Sequence, residues 1–136
     1  MDGSRLRILF VDDSPNVLEG IERLLYGMDR EWDIHYAESG IAALTLMEDG
    51  AFDVVATDLR MPGMDGSVLI GRIREVSPTT RCLLLCGDTE DPEALALARQ
   101  GCPLVEKPCD SQAIRGAVEA AVNHGPERAQ TMEEDQ

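Results

Sequence analysis

The stretch from residue 52 to 66 reads Phe52-Asp53-Val54-Val55-Ala56-Thr57-Asp58-Leu59-Arg60-Met61-Pro62-Gly63-Met64-Asp65-Gly66. Its apolar run, Val54-Val55-Ala56, sits between turn signals and reads as a fully buried strand. The run stops at a carboxylate, Asp58, and Met61-Pro62-Gly63 and Asp65-Gly66 then turn the chain. An acid at the carboxyl end of a buried strand lies where open α/β sheets hold their ligands. Strands also end in Asp for no reason beyond the turn that follows. The reading therefore depends on whether other strands deliver chemistry to the same edge.

Working outward, the same unit recurs on both sides. Leu6 to Val11 is an apolar run that ends in Asp12-Asp13. Ser14-Pro15 supplies an N-cap and a first-turn proline, and Val17, Leu18, Ile21, Leu24, Leu25 and Met28 follow at helical spacing. Trp32 to Ala37 reads as a second strand with Ile34 and Tyr36 on one face. Ser39 caps a second helix that Gly50 ends. Gly66-Ser67 opens a third helix, stopped by Ser77-Pro78. Cys82 to Cys86 is a buried fourth strand, and Pro92 begins a fourth helix. Leu104-Val105 is a short fifth strand running into Glu106-Lys107-Pro108. Asp110 caps a last helix that Gly125-Pro126 is expected to terminate. The remainder, 127–136, is polar and acidic and is expected to be disordered.

Strand followed by helix, five times, predicts a parallel sheet with helices on both faces. The units share no common motif, which excludes a solenoid. All strand carboxyl ends of such a sheet lie along one edge. That edge gathers Asp12 and Asp13 from the first strand, Asp58 from the third, Cys86-Gly87-Asp88 from the fourth and Lys107-Pro108 from the fifth. Acids at a helix start are also favoured by the helix dipole alone, so Asp12-Asp13 gain meaning only beside Asp58 and Lys107. Three converging carboxylates repel one another and call for a cation, and hard oxygen ligands suit magnesium. A lysine beside them can hold an anion. Clustered acids, a divalent metal and a positioned lysine are what phosphoryl transfer requires, and a carboxylate can accept the group as an acyl phosphate.

Composition is consistent with one soluble domain. The chain has 136 residues, of which 43% are hydrophobic and 28% charged, enough to bury a core. No run has the length of a membrane span, and the N-terminus lacks the pattern of a signal peptide, so the cytoplasm is the expected location. The formal net charge of -14 argues against nucleic acid as a direct ligand and suits cations or basic partner surfaces. Cys82, Cys86, Cys102 and Cys109 lack paired Cys-x-x-Cys spacing and are expected to be free thiols. Lys107 is the only lysine, set against eleven arginines; a genomic bias toward Arg is the plain explanation, yet a position that keeps Lys is a candidate for a role needing a compact point charge.

With Val11-Asp12-Asp13, Asp58 followed by Met61-Pro62-Gly63-Met64-Asp65-Gly66, and Lys107-Pro108, the chain resembles a response-regulator receiver domain of two-component signalling over residues 5–124. The resemblance implies a flavodoxin-like, doubly wound sheet of five parallel strands in the order 2-1-3-4-5. It implies phosphorylation of Asp58 by a phosphohistidine on a sensor histidine kinase or phosphotransfer protein. Magnesium would be held by Asp13, Asp58 and the backbone carbonyl of Arg60, with Asp12 acting through water, and Lys107 would contact the phosphoryl group. Such a domain is a switch rather than an enzyme; it catalyses at most its own phosphorylation and dephosphorylation. Its expected partners are the kinase, an output protein or a C-terminal effector domain, and a second copy of itself. Lys107-Pro108-Cys109-Asp110, taken with the turn after Asp58, is similar to receivers that precede cyclic-di-GMP phosphodiesterase-type domains.

Two positions depart from the pattern. Cys86 stands where receivers carry Ser or Thr, and a thiol is a weaker donor than a hydroxyl. Leu104 stands where many carry an aromatic switch residue. These departures leave an alternative open, a receiver-fold interaction module whose output does not depend on phosphorylation. A magnesium-dependent phosphatase with an aspartyl nucleophile is a third reading, but it wants a second Asp two residues on, where Arg60 stands.

Overall fold

A computed structural model of the chain describes residues 5–134. Its strands are β1 (Leu6–Val11), β2 (Trp32–Ala37), β3 (Val54–Asp58), β4 (Arg81–Cys86) and β5 (Leu104–Glu106). They alternate with α1 (Pro15–Leu24), α2 (Gly40–Glu48), α3 (Gly66–Val76), α4 (Pro92–Arg99) and α5 (Ser111–Glu134). Every strand pairing is parallel, and the order across the sheet is β2-β1-β3-β4-β5. The expected doubly wound sheet is thus observed, and β1 and β3 lie side by side where the strand order reverses.

The period-two alternation of the strands divides the core. On one face, Leu9, Val11, Val55 and Leu84 pack with Ala43 of α2, Leu69, Ile70 and Ile73 of α3, and Leu97 of α4. On the other, Ile8, Phe10, Val54, Ala56, Leu83 and Leu85 pack with Leu18 and Ile21 of α1 and with Ile114, Val118 and Ala121 of α5. Strands buried on both faces explain the continuous apolar runs in the sequence. Leu97 belongs to this core, whereas Leu95, two residues earlier on the same helix, is exposed.

Polar side chains set where the helices start. The Ser14 hydroxyl accepts from the Val17 N–H at 3.4 Å, and Ser39 accepts from Ala42 at 3.0 Å. Asp91 accepts from Glu93 at 2.9 Å and Ala94 at 3.4 Å. Asp110 accepts from Ala113 at 2.8 Å. Each bond satisfies an N–H that the first helical turn leaves without an intrahelical acceptor.

Two boundaries differ from the sequence reading. The apolar stripe continues to Met28, but α1 ends at Leu24, and Met28–Arg30 forms a separate 3-10 turn. Gly27, at φ 95°, enters the left-handed region there, which breaks the helix. At the other end, α5 runs past Gly125-Pro126 to Glu134 and takes in most of the acidic segment expected to be disordered. Residues 127–134 are mostly good helix formers, and a helix already nucleated needs only propagation to continue. Residues 135 and 136 lie outside the described residues.

Candidate functional site

β1 carries Asp12 and Asp13 past its end, β3 ends in Asp58, and β5 leads into Lys107. Parallel pairing of β1 with β3 and of β3 with β4 aligns these ends at one edge. Asp12 is 2% exposed and has a defined role for each carboxylate oxygen. One accepts from the Ser14 N–H at 2.9 Å, and the other meets the Lys107 ammonium at 3.3 Å. The same ammonium donates to Asp58 Oδ1 at 2.9 Å. Lys107 is itself placed by its backbone N–H, which donates to the Cys86 carbonyl at 2.9 Å. The Lys107-Pro108 peptide is cis.

Asp12, Asp13 and Asp58 each present a carboxylate oxygen, all within 4.8 Å of one another. Asp12 is buried, Asp58 half-buried and Asp13 exposed, so the cluster opens to solvent on the Asp13 side. Three carboxylates against one ammonium leave an excess of negative charge that a divalent cation would neutralise. An all-oxygen set open to water fits magnesium.

The charges interact strongly. Burial raises the Asp58 carboxyl above its usual range and the Asp12 charge adds to this; Lys107 and the Leu59 N–H pull the other way without cancelling it. Burial pulls the Lys107 ammonium down, but its bond to Asp58 and the charges of Asp12 and Asp58 outweigh that and hold it above its ordinary value. Both groups are raised, but for different reasons, because one cation is shared between two acids. Lys107 gains from both, whereas Asp58 bears the desolvation and the second acid.

The turn after Asp58 is anchored from inside. Leu59 is 3% and Met61 5% exposed, both packed into the α2–α4 side of the core, so Arg60 between them faces out. Gly63 takes φ 85°. Gly66 is required for a different reason. Its N–H donates to the Leu59 carbonyl at 2.7 Å, and a Cβ on it would stand 2.2 Å from the Asp58 carbonyl oxygen.

Cys86 is 3% exposed, and its thiol donates to the Asp88 carbonyl at 3.3 Å. Burial pushes this thiol up, with the Asp88, Asp91 and Asp58 charges adding, which keeps it protonated. Leu104 is half-buried against the α2–α4 side of the core. Cys82 and Cys102 are core residues away from the cluster, and all four cysteines are free. His35 has neighbours that the sequence did not name. Its Nε2 lies 3.1 Å from Asp33 and its ring meets Phe52 edge-on at 5.4 Å. The sequence reading also missed the Arg60 side chain, which pairs with Asp91 and Glu93 at the start of α4. The only signal for it was the acid pair flanking Pro92.

A doubly wound parallel sheet whose carboxyl edge holds three aspartates and a lysine defines the class of aspartate-centred phosphoryl switches. The chain belongs to the response regulator receiver domain family, whose model matches residues 8–119. It is 32% identical over 116 residues to the transcriptional regulatory protein GlrR of Escherichia coli K12, covering 85% of this chain and 26% of that protein. It is 36% identical over 86 residues to the sensor kinase CckA of Brucella abortus, covering 62% of this chain and 9% of that one. Among solved structures, the signal receiver domain of an HD domain-containing protein from Pseudomonas fluorescens Pf-5 superposes with a TM-score of 0.79 at 31% identity, covering 88% of this chain and 96% of that chain. The chain thus spans about a quarter or less of these curated relatives. It is a two-component receiver domain with a flavodoxin-like fold, and receiver domains of this family are signalling switches that work with kinases and output domains. Among the described residues, no helix is long and apolar enough to cross a membrane.

Proposed function

We propose that Asp58 is the phosphoacceptor of this receiver and that residues 5–124 form the unit that carries it. The observation that carries the reading is the Lys107 ammonium 2.9 Å from Asp58 Oδ1, inside a three-carboxylate cluster. Lys107 holds Oδ1, and Oδ2 of Asp58 is the oxygen that attacks. It displaces the imidazole of a phosphohistidine donor, so that an O–P bond forms as the N–P bond breaks and the imidazole nitrogen regains a proton. Lys107 then follows the charge onto a phosphoryl oxygen. Asp12, held by the Ser14 N–H, and Asp13, open to solvent, would hold magnesium together with Asp58 and the Arg60 carbonyl. That ion supplies neutralisation of the phosphoryl oxygens.

The donor is a sensor histidine kinase or phosphotransfer protein, and the setting is the cytoplasm. The output partner is a second protein, a further domain or a second copy of the chain. The resemblance to the receiver of an HD domain-containing protein supports an effector of that kind. The intact acids and lysine favour this reading over a module that ignores phosphorylation.

Incubation with magnesium and a small phosphodonor should add a base-labile phosphoryl group to the parent and none to Asp58→Asn. Equal labelling of the variant would refute the assignment.

A further inference from the structure

Arg60 is two residues beyond Asp58, in the turn whose flanking side chains, Leu59 and Met61, are buried. Its guanidinium crosses to α4. Nη2 lies 2.7 Å from Asp91, Nη1 pairs with Glu93, and Nη1 is also 3.8 Å from Asp65, the N-cap residue of α3. Asp91 uses its other oxygen to cap α4 through the Glu93 and Ala94 N–H groups. Its own N–H donates at 3.1 Å to the Asp88 carbonyl, which also accepts the Cys86 thiol. One side chain therefore spans the N-termini of two helices, from a residue whose backbone is pinned on both sides.

A single exposed ion pair contributes little, and the Arg60 side chain is 58% exposed. Here, however, separate nitrogens of one rigid, planar group meet separate carboxylates, which fixes direction as well as distance. With Leu59 and Met61 anchored, a shift of the Arg60 main chain moves the guanidinium, and a shift of α4 pulls back on the turn.

We propose that Arg60 is a positioning residue, a latch that sets the placement of its own carbonyl beside the aspartates together with the placement of the α4 N-terminus. The inference rests on the magnesium reading of the site and offers a route to the surface that needs neither a hydroxyl at Cys86 nor an aromatic at Leu104. Coupling of this kind is reciprocal. The metal steadies α4, and the α4 carboxylates strengthen metal binding through the turn.

The test measures magnesium binding to the full chain by calorimetry and follows the amide resonances of residues 93–97 by NMR. Arg60→Gln removes a positive charge near the acids, and Coulomb attraction alone would then make the cation bind more tightly. The latch requires the opposite sign. Affinity falls by about fivefold, the low end of typical coupling between sites, and the magnesium-induced shifts in α4 disappear while those at Asp13 and Asp58 remain. Arg60→Lys keeps the charge but loses the planar fork, so its affinity falls between the two. Arg60→Gln binding magnesium as tightly as the parent or more tightly, or α4 shifts that persist in it, overturns the proposal. Absence of magnesium binding by the parent overturns it together with the metal reading. A parent that shows the coupling yet never labels Asp58 supports the latch and refutes the phosphoacceptor assignment instead.

Discussion

Asp58 is held half-buried beside another acid, and its carboxyl is raised above the usual range, burial being the main cause. Between the ordinary carboxylate value and that raised value, the folded chain binds more protons than the unfolded one. Stability therefore falls as pH rises through this window, and the loss persists at neutral pH. Asp58→Asn removes the titrating group. Without magnesium the variant should be more stable than the parent at pH 7 in urea titrations, with the gain shrinking as pH falls through the carboxylate range. A gain independent of pH would show that desolvation of Asp58 is not its source. Cys86 concerns the same site from β4. Its thiol already donates to Asp88, but weakly, and a hydroxyl in its place differs by roughly 1 kcal/mol in hydrogen-bond strength, enough to move a balanced equilibrium several-fold. Cys86→Ser should therefore enlarge the beryllofluoride-induced shifts of the amides that follow β4. Unchanged shifts would make the thiol a neutral replacement.

Helix α3 begins in direct contact with the backbone at the end of β3. Gly66 starts the helix against the backbone of Asp58 and Leu59, and a Cβ there would contact main-chain atoms, which cannot yield as a flexible side chain can. Gly66→Ala is expected to destabilise the protein by about 1–3 kcal/mol, the usual range for overpacking, and to disturb the Asp58 amide environment. A loss below about 0.5 kcal/mol, the size of an ordinary surface substitution, would mean that the start of α3 relaxes away from β3 freely. Gly66 was marked in the sequence as a turn residue; that it lies against the Asp58 carbonyl follows only from the packing of α3 on β3.

For the whole molecule, a formal net charge of -14 concentrates acids that a bound cation would relieve. Ligand binding to the native state alone stabilises it by mass action, by about 2.7 kcal/mol at a hundred times the dissociation constant. Magnesium should raise the melting temperature of the parent. It should fail to do so in Asp13→Ala, whose exposed side chain can be removed without opening the core. A full magnesium response in that variant would move the metal away from this cluster.

The sequence by itself determined the alternation of strands and helices, the cap residues Ser14, Ser39 and Asp110, and the set Asp12, Asp13, Asp58 and Lys107. Periodicity and capping act within a few residues, and the parallel sheet brings strand ends together whatever the loops do. What only the tertiary structure decided are contacts between distant parts of the chain. Arg60 meets Asp91 and Glu93 across separations of 31 and 33 residues. His35 of β2 meets Phe52, in the segment that leads into β3. The Cys86 acceptor is only two residues away, but it is set by how the chain turns between β4 and α4, a path that the arginine also holds. Helix ends were less legible, because Gly27 and Gly125-Pro126 present similar breaking signals with opposite outcomes. Local propensity weights both, and the continuation of each helix depends on what the next turn can form and pack against.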